Sequence, residues 1–193
     1  MKKFIIFCLI TMAIFIFSCS KNNNLEIKRI ENDSNIYIFE DNKDDNGNVL
    51  DFVHETYELV GSEQDNSIEI KLLYYDNSKV EELFSTGNIN IKKSQKLLLG
   101  LSEKRFSVYV LDKGKVLTKM DYSRYDNLSF KDVKSYGWIE SSVLDKDKET
   151  TLFSLITSNS GITSPDFKEV NIYDWIEKHK DYSGMFVQVK KSK

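Results

Sequence analysis

Apolar and polar residues alternate with a period of two along much of this chain, the pattern of strands with one buried face. The alternation is cleanest from Ser67 to Tyr75, where Ile68, Ile70, Leu72 and Tyr74 share one face and Glu69 and Lys71 the other. Phe106, Val108 and Val110 alternate before Asp112-Lys113-Gly114-Lys115, and Val116, Thr118 and Met120 alternate after it, which predicts a hairpin. An earlier hairpin is predicted from Ile36 to Glu40 and from Val49 to Val60, joined by the acidic, turn-rich run Asp41 to Asn48. Gly137 to Leu144, Leu152 to Ile156, and Met185, Val187 and Val189 supply further strands.

Two segments follow helical spacing instead. Ser78 and Glu81 form a capping-box pattern, Val80, Leu83 and Phe84 follow it, and Gly87 is a stop signal. Asn171 is placed to cap a helix whose apolar stripe is Ile172, Trp175, Ile176 and His179. The sum is an α+β fold, mainly antiparallel β as a meander or small barrel, with two or three short helices. The chain has a single proline and no shift of composition that would mark a boundary, so residues 25–193 are expected to form one globular domain.

The first residues obey a different logic. Lys2 and Lys3 precede an uncharged stretch from Phe4 to Ser20, and the apolar run Phe4 to Phe17 spans about 21 Å as a helix against a hydrocarbon core of about 30 Å. That is the anatomy of a secretory signal, too short for a comfortable membrane span. Ile16-Phe17-Ser18-Cys19 resembles the lipobox of bacterial lipoproteins, with an aliphatic residue three positions before the cysteine and a small one immediately before it. Phe17 is bulkier than the usual pattern and is similar to the relaxed lipoboxes of spirochaetes. The resemblance implies that residues 1–18 are removed, that Cys19 carries lipid, and that residues 19–24 tether the domain to a membrane of the cell envelope. The outer membrane or cell surface is expected rather than the inner membrane. An ordinary signal cut after Ser20 would instead use Ser18 and Ser20 as its small pair and discard Cys19.

Loss of residues 1–18 leaves a mature chain of 175 residues, and with Lys2 and Lys3 gone the formal net charge moves from −3 to −5. A mixed, slightly acidic surface gives no footprint for nucleic acid. Cys8 leaves with the signal, so the mature chain holds no thiol pair for a disulfide or metal site.

Candidate chemistry is sparse. Asn42, Asp44, Asn46 and Asn48 fall at alternate positions around Gly47 as in a calcium loop, but Leu50 and Val53 occupy the later ligand positions, so the run is expected to be a solvated loop. His54 and His179 lie far apart and belong to no metal-binding pair. No Gly-x-Ser-x-Gly elbow and no Gly-rich phosphate loop occurs. No catalytic residue, metal or cofactor is therefore assigned.

Tyr136-Gly137-Trp138-Ile139-Glu140-Ser141-Ser142-Val143-Leu144 resembles the closing motif of bacterial SH3-like domains. The resemblance implies a small barrel over about residues 67–144, in which Gly137 lets the chain turn and Trp138 packs the barrel, and a role in binding peptidoglycan or peptides. The stretch Tyr122-Ser123-Arg124-Tyr125-Asp126-Asn127 lacks alternation and reads as a loop. Tyr and Arg bury large area and still donate hydrogen bonds, so Tyr122, Arg124 and Tyr125, with Trp138, are the expected contact residues. The function expected is a lipid-anchored, non-catalytic envelope protein that binds a protein or peptidoglycan. A periplasmic hydrolase using paired carboxylates, or a structural subunit of an envelope complex, are the alternatives.

Overall fold

The computed structural model describes residues 25–31, 52–61, 65–77, 79–102, 105–123, 133–146, 148–158 and 172–192. Cys19, the tether, the segment from Ile36 to Asn48 and the stretch from Arg124 to Asn127 lie outside these residues. Eleven strands and one helix are described: β1 (Leu25–Arg29), β2 (Phe52–Val60), β3 (Asp65–Asp76), β4 (Lys79–Lys92), β5 (Gln95–Ser102), β6 (Arg105–Asp112), β7 (Lys115–Ser123), β8 (Val133–Trp138), β9 (Ser141–Leu144), β10 (Thr150–Ser158), α1 (Ile172–Lys178) and β11 (Tyr182–Lys191).

The strands form two antiparallel sheets. One runs β7-β6-β5-β2-β1-β9 and the other β4-β3-β11-β10-β8. Their facing sides share one core: Leu25, Ile27, Tyr57, Leu59, Leu97, Leu99, Phe106 and Val108 from the first sheet meet Ile68, Ile70, Leu72, Phe153, Leu155, Met185 and Val187 from the second. The alternation expected in β3 holds, with Ile68, Ile70 and Leu72 buried between the sheets and Tyr74 partly buried beside them. Burial of such a stripe, at about 25 cal/mol per Å² of apolar surface, is what drives the sheets together.

The outer face of the five-stranded sheet carries α1. Ile172, Trp175 and Ile176, the expected stripe, pack on Leu73, Tyr75, Ile156, Tyr182 and Phe186. Tyr75 stacks on Phe186 with centroids 5.0 Å apart, and Trp175 meets Tyr75 edge-on at 6.3 Å.

Three expectations are corrected. The helix after Ser78 is instead the edge strand β4, so one helix is described rather than two or three. The strands between residues 67 and 144 divide between the two sheets, and no small barrel closes. β7 continues through Ser123, so Asp121, Tyr122 and Ser123 are strand rather than loop.

The hairpins set the polarity of the sandwich. At one end β1 begins, and β2–β3, β4–β5, β6–β7 and β9–β10 are joined by short connections. At the other end the chain makes its longest excursions, over residues 30–51, 124–132 and 159–171. The far end also carries the short β3–β4 and β5–β6 turns, so it is the long connections alone that gather at one end.

Candidate functional site

The inward-facing positions of β1 and β2 do not stay apolar to the strand ends. In β1 the order is Leu25, Ile27, Arg29, and in β2, read from the same end, it is Leu59, Tyr57, Glu55. The core stripe therefore closes, toward the loop-bearing end, on an ion pair. Arg29 Nη2 lies 2.6 Å from Glu55 Oε1, and Nη1 donates to Glu140 Oε1 at 2.7 Å. The Arg29 backbone N–H also donates to the Glu140 carbonyl at 2.7 Å. Its hydrogen bond to Glu55, reinforced by both carboxylate charges, raises the guanidinium pKa further against the opposing effect of burial. Arg29 Nε is buried with no hydrogen-bond partner.

Glu140 belongs to the two-residue crossing from β8 to β9, where the chain passes from one sheet to the other. The same crossing is held by the Tyr57 hydroxyl, which donates to the Ile139 carbonyl at 3.2 Å, and by the Ile139 N–H, which donates to the Leu152 carbonyl at 2.9 Å. Tyr57 is wholly buried, and burial pushes its phenol well above the ordinary range, so it stays a neutral donor. The guanidinium and the phenol together clamp β1, β2 and the crossing. Chemically this is a cross-brace, in which each carboxylate leans on the guanidinium.

Trp138, expected as a contact residue, belongs to this corner. Its ring lies 4.2 Å from Phe153 and 6.3 Å from Tyr57, and it is partly buried against the core. Tyr122 also turns inward, with its ring 6.0 Å from Phe84, leaving it half-buried at the end of β7. Arg124 and Tyr125 continue from that strand end beyond the described residues. The structure thus brings neither Tyr122 nor Trp138 out as a free aromatic, and it separates them between different sheets.

The histidines have local partners. His179 Nδ1 lies 2.7 Å from the Trp175 carbonyl, and its ring stacks on Trp175 at 4.3 Å. His54, on β2 opposite Gly100, has its pKa lowered by burial against a smaller raising effect from Glu55. A second charge group lies on the outer face of the five-stranded sheet. Lys71 Nζ is 3.0 Å from Glu82 and 3.6 Å from Glu149, and Tyr173 donates to Glu149 at 3.3 Å. Among the described residues no three His, Cys, Asp or Glu side chains converge as a metal site requires, and no helix is long and apolar enough to cross a membrane.

Sequence patterning missed the Arg29–Glu55–Glu140 brace. A usable signal was present, since Arg29 and Glu55 fall at inward positions of apolar alternations where a charge needs a partner. Glu140 could not have been paired with them without the fold. The chain matches no protein-family model, no curated protein and no solved structure.

Proposed function

We propose that the chain is a lipid-anchored envelope lipoprotein whose sandwich is a non-catalytic scaffold, held to a membrane at Cys19 and presenting its opposite end to a protein or peptidoglycan partner. The observation that carries this is that the three long connections all leave from the end opposite the start of β1. β1 starts six residues after Cys19, at the end where the described connections are short, while the excursions over 30–51, 124–132 and 159–171 leave from the far end. Loops carried away from an anchor by a rigid sandwich are a common arrangement for binding surfaces. Arg124 and Tyr125 follow in sequence from Ser123, the last residue of β7 at the far end, and are kept as the proposed contact residues.

Two measurements test the proposal. Cys19→Ser should abolish palmitate labelling and release the protein from the membrane fraction, and unchanged labelling overturns the anchor. Arg124→Ala and Tyr125→Ala should leave the melting temperature within a few degrees yet weaken capture of a partner identified by cross-linking on intact cells. Unchanged capture by both variants moves the contact surface elsewhere.

A further inference from the structure

We propose that the anchor-side end of the sandwich is a lysine-rich face that docks on anionic phospholipid headgroups, so that the domain stands on the bilayer rather than swinging from its tether. This rests on Cys19 being lipidated, as proposed above. Six residues from Cys19 to Leu25 reach at most about 20 Å when fully extended. The end of the sheet that contains Leu25 is therefore never far from the headgroups.

The strand registers define what else lies at that end. Leu25 is paired with Leu144 and Glu26 with Val60, the last residues of β9 and β2. Gln95, at the start of β5, is paired with Asp112, which is in turn opposite Lys115. Lys92, at the end of β4, is opposite Asp65 at the start of β3. Three connections at this end expose lysine pairs: Lys92 and Lys93 between β4 and β5, Lys113 and Lys115 around the β6–β7 turn, and Lys146 and Lys148 between β9 and β10. Asp145 is exposed among them and Glu26, Glu58, Asp112 and Glu149 are half-buried, while the sequence also places Glu63, Asp65 and Asp147 in or beside the same connections.

The opposite end has the other sign, exposing Glu31, Asp76, Glu81, Asp121 and Asp181 around Lys79, Lys178 and Lys180. Among the exposed side chains of the described residues, lysines thus outnumber acids at the anchor end and acids outnumber lysines at the far end. Anionic headgroups attract such a cluster over about a Debye length, and the tether keeps it within that distance. Apolar side chains adjoin the lysines: Val116 and Leu117, 45% and 54% exposed, follow the β6–β7 turn, and Val60 and Val143 are exposed on the flanking strands. A basic rim beside exposed valine and leucine is the composition of surfaces that settle at the interfacial layer.

The test uses the lipidated mature protein in vesicles of phosphatidylcholine alone, or with about one third phosphatidylglycerol, at low and high salt. Lysines are acetylated with a water-soluble reagent and mapped by mass spectrometry. In phosphatidylglycerol vesicles the six anchor-side lysines should react at least about threefold more slowly than in phosphatidylcholine, with protection lost at high salt and Lys178 and Lys180 unaffected. Lys113→Glu with Lys115→Glu should remove the protection at Lys92 and Lys93 as well. Equal reactivity in both vesicle types overturns the docking face. The mass of the amino-terminal peptide reports separately whether Cys19 is acylated. If it carries no lipid, the anchor fails, and the same labelling of the protein mixed with free vesicles then decides the face by itself.

Discussion

Gly184 and Gly137 make a controlled pair for testing whether the packing described here is correct. Gly184 lies in β11, a central strand flanked by β3 and β10. A Cβ built there would drive into the carbonyl oxygen of Leu155, with the Leu155 carbonyl carbon at 3.1 Å and Ile156 Cα at 3.2 Å. The obstacle is backbone, so relief requires separating strands that are otherwise held over eight paired positions. Overpacking a core costs about 1–3 kcal/mol, and an immovable neighbour puts Gly184→Ala at about 3 kcal/mol or above. For a chain of this size that lowers Tm by roughly 6–12 °C. Gly137, in β8, has nothing within 4 Å of the same added carbon and no positive φ. Gly137→Ala should be neutral or stabilise by about 0.4–1 kcal/mol through the unfolded chain. Differential scanning calorimetry of both variants is the assay. A Gly184→Ala protein melting within about 2 °C of the parent would refute the close approach of β10 and β11. Destabilisation by Gly137→Ala would restore the turning role that the SH3-like resemblance implies for that glycine.

Tyr57→Phe should cost about 1 kcal/mol in urea unfolding, because the Ile139 carbonyl loses the phenol that donates to it at 3.2 Å; an unchanged midpoint would mean the crossing from β8 to β9 does not use that bond. His54 has a folded-state pKa below its unfolded value of 6.5, chiefly through burial, so the unfolded chain binds the proton more readily. Its contribution is complete above that value and is lost as pH falls below it toward the lowered folded pKa. Relative to His54→Asn, the parent should therefore lose stability between about pH 7.5 and pH 5.5, and parallel pH profiles for the two proteins would contradict the assignment.

Where the period of two was unbroken, the sequence was a reliable guide: β3, the β6–β7 hairpin and β11 lie where the alternation puts them. β4 shows how the same signal is lost. Its pairing with β3 slips twice, once where Leu83 is extra between Phe84 and Glu82, and once where Thr86 and Gly87 together oppose Ile70. Each slip re-phases the apolar positions, so that Val80, Leu83 and Phe84 acquire helical spacing although the strand never leaves extended geometry. Gly87, read as a helix stop, adopts a φ of 59° in the second bulge, where Thr86 Oγ1 accepts the Ile70 N–H at 3.0 Å. β5 failed for the opposite reason. Leu97, Leu98, Leu99 and Leu101 are buried on both faces, and a strand without a polar face shows no alternation. The brace of Arg29, Glu55 and Glu140 joins residues up to 111 positions apart, a relation that no local pattern carries.

The placement of β1 has a mechanical meaning. It is laced to β2 through Glu26–Arg29 on one side and to β9 through Leu25–Lys28 on the other, and the chain from Cys19 joins it at its first residue. If Cys19 is lipid-anchored as proposed, a pull along β1 from its first residue loads both ladders in shear, with every rung sharing the force at once. An attachment perpendicular to an edge strand would open rungs one at a time. A domain wired this way, lipidated as proposed, should release an acyl anchor from the bilayer before it gives up its fold.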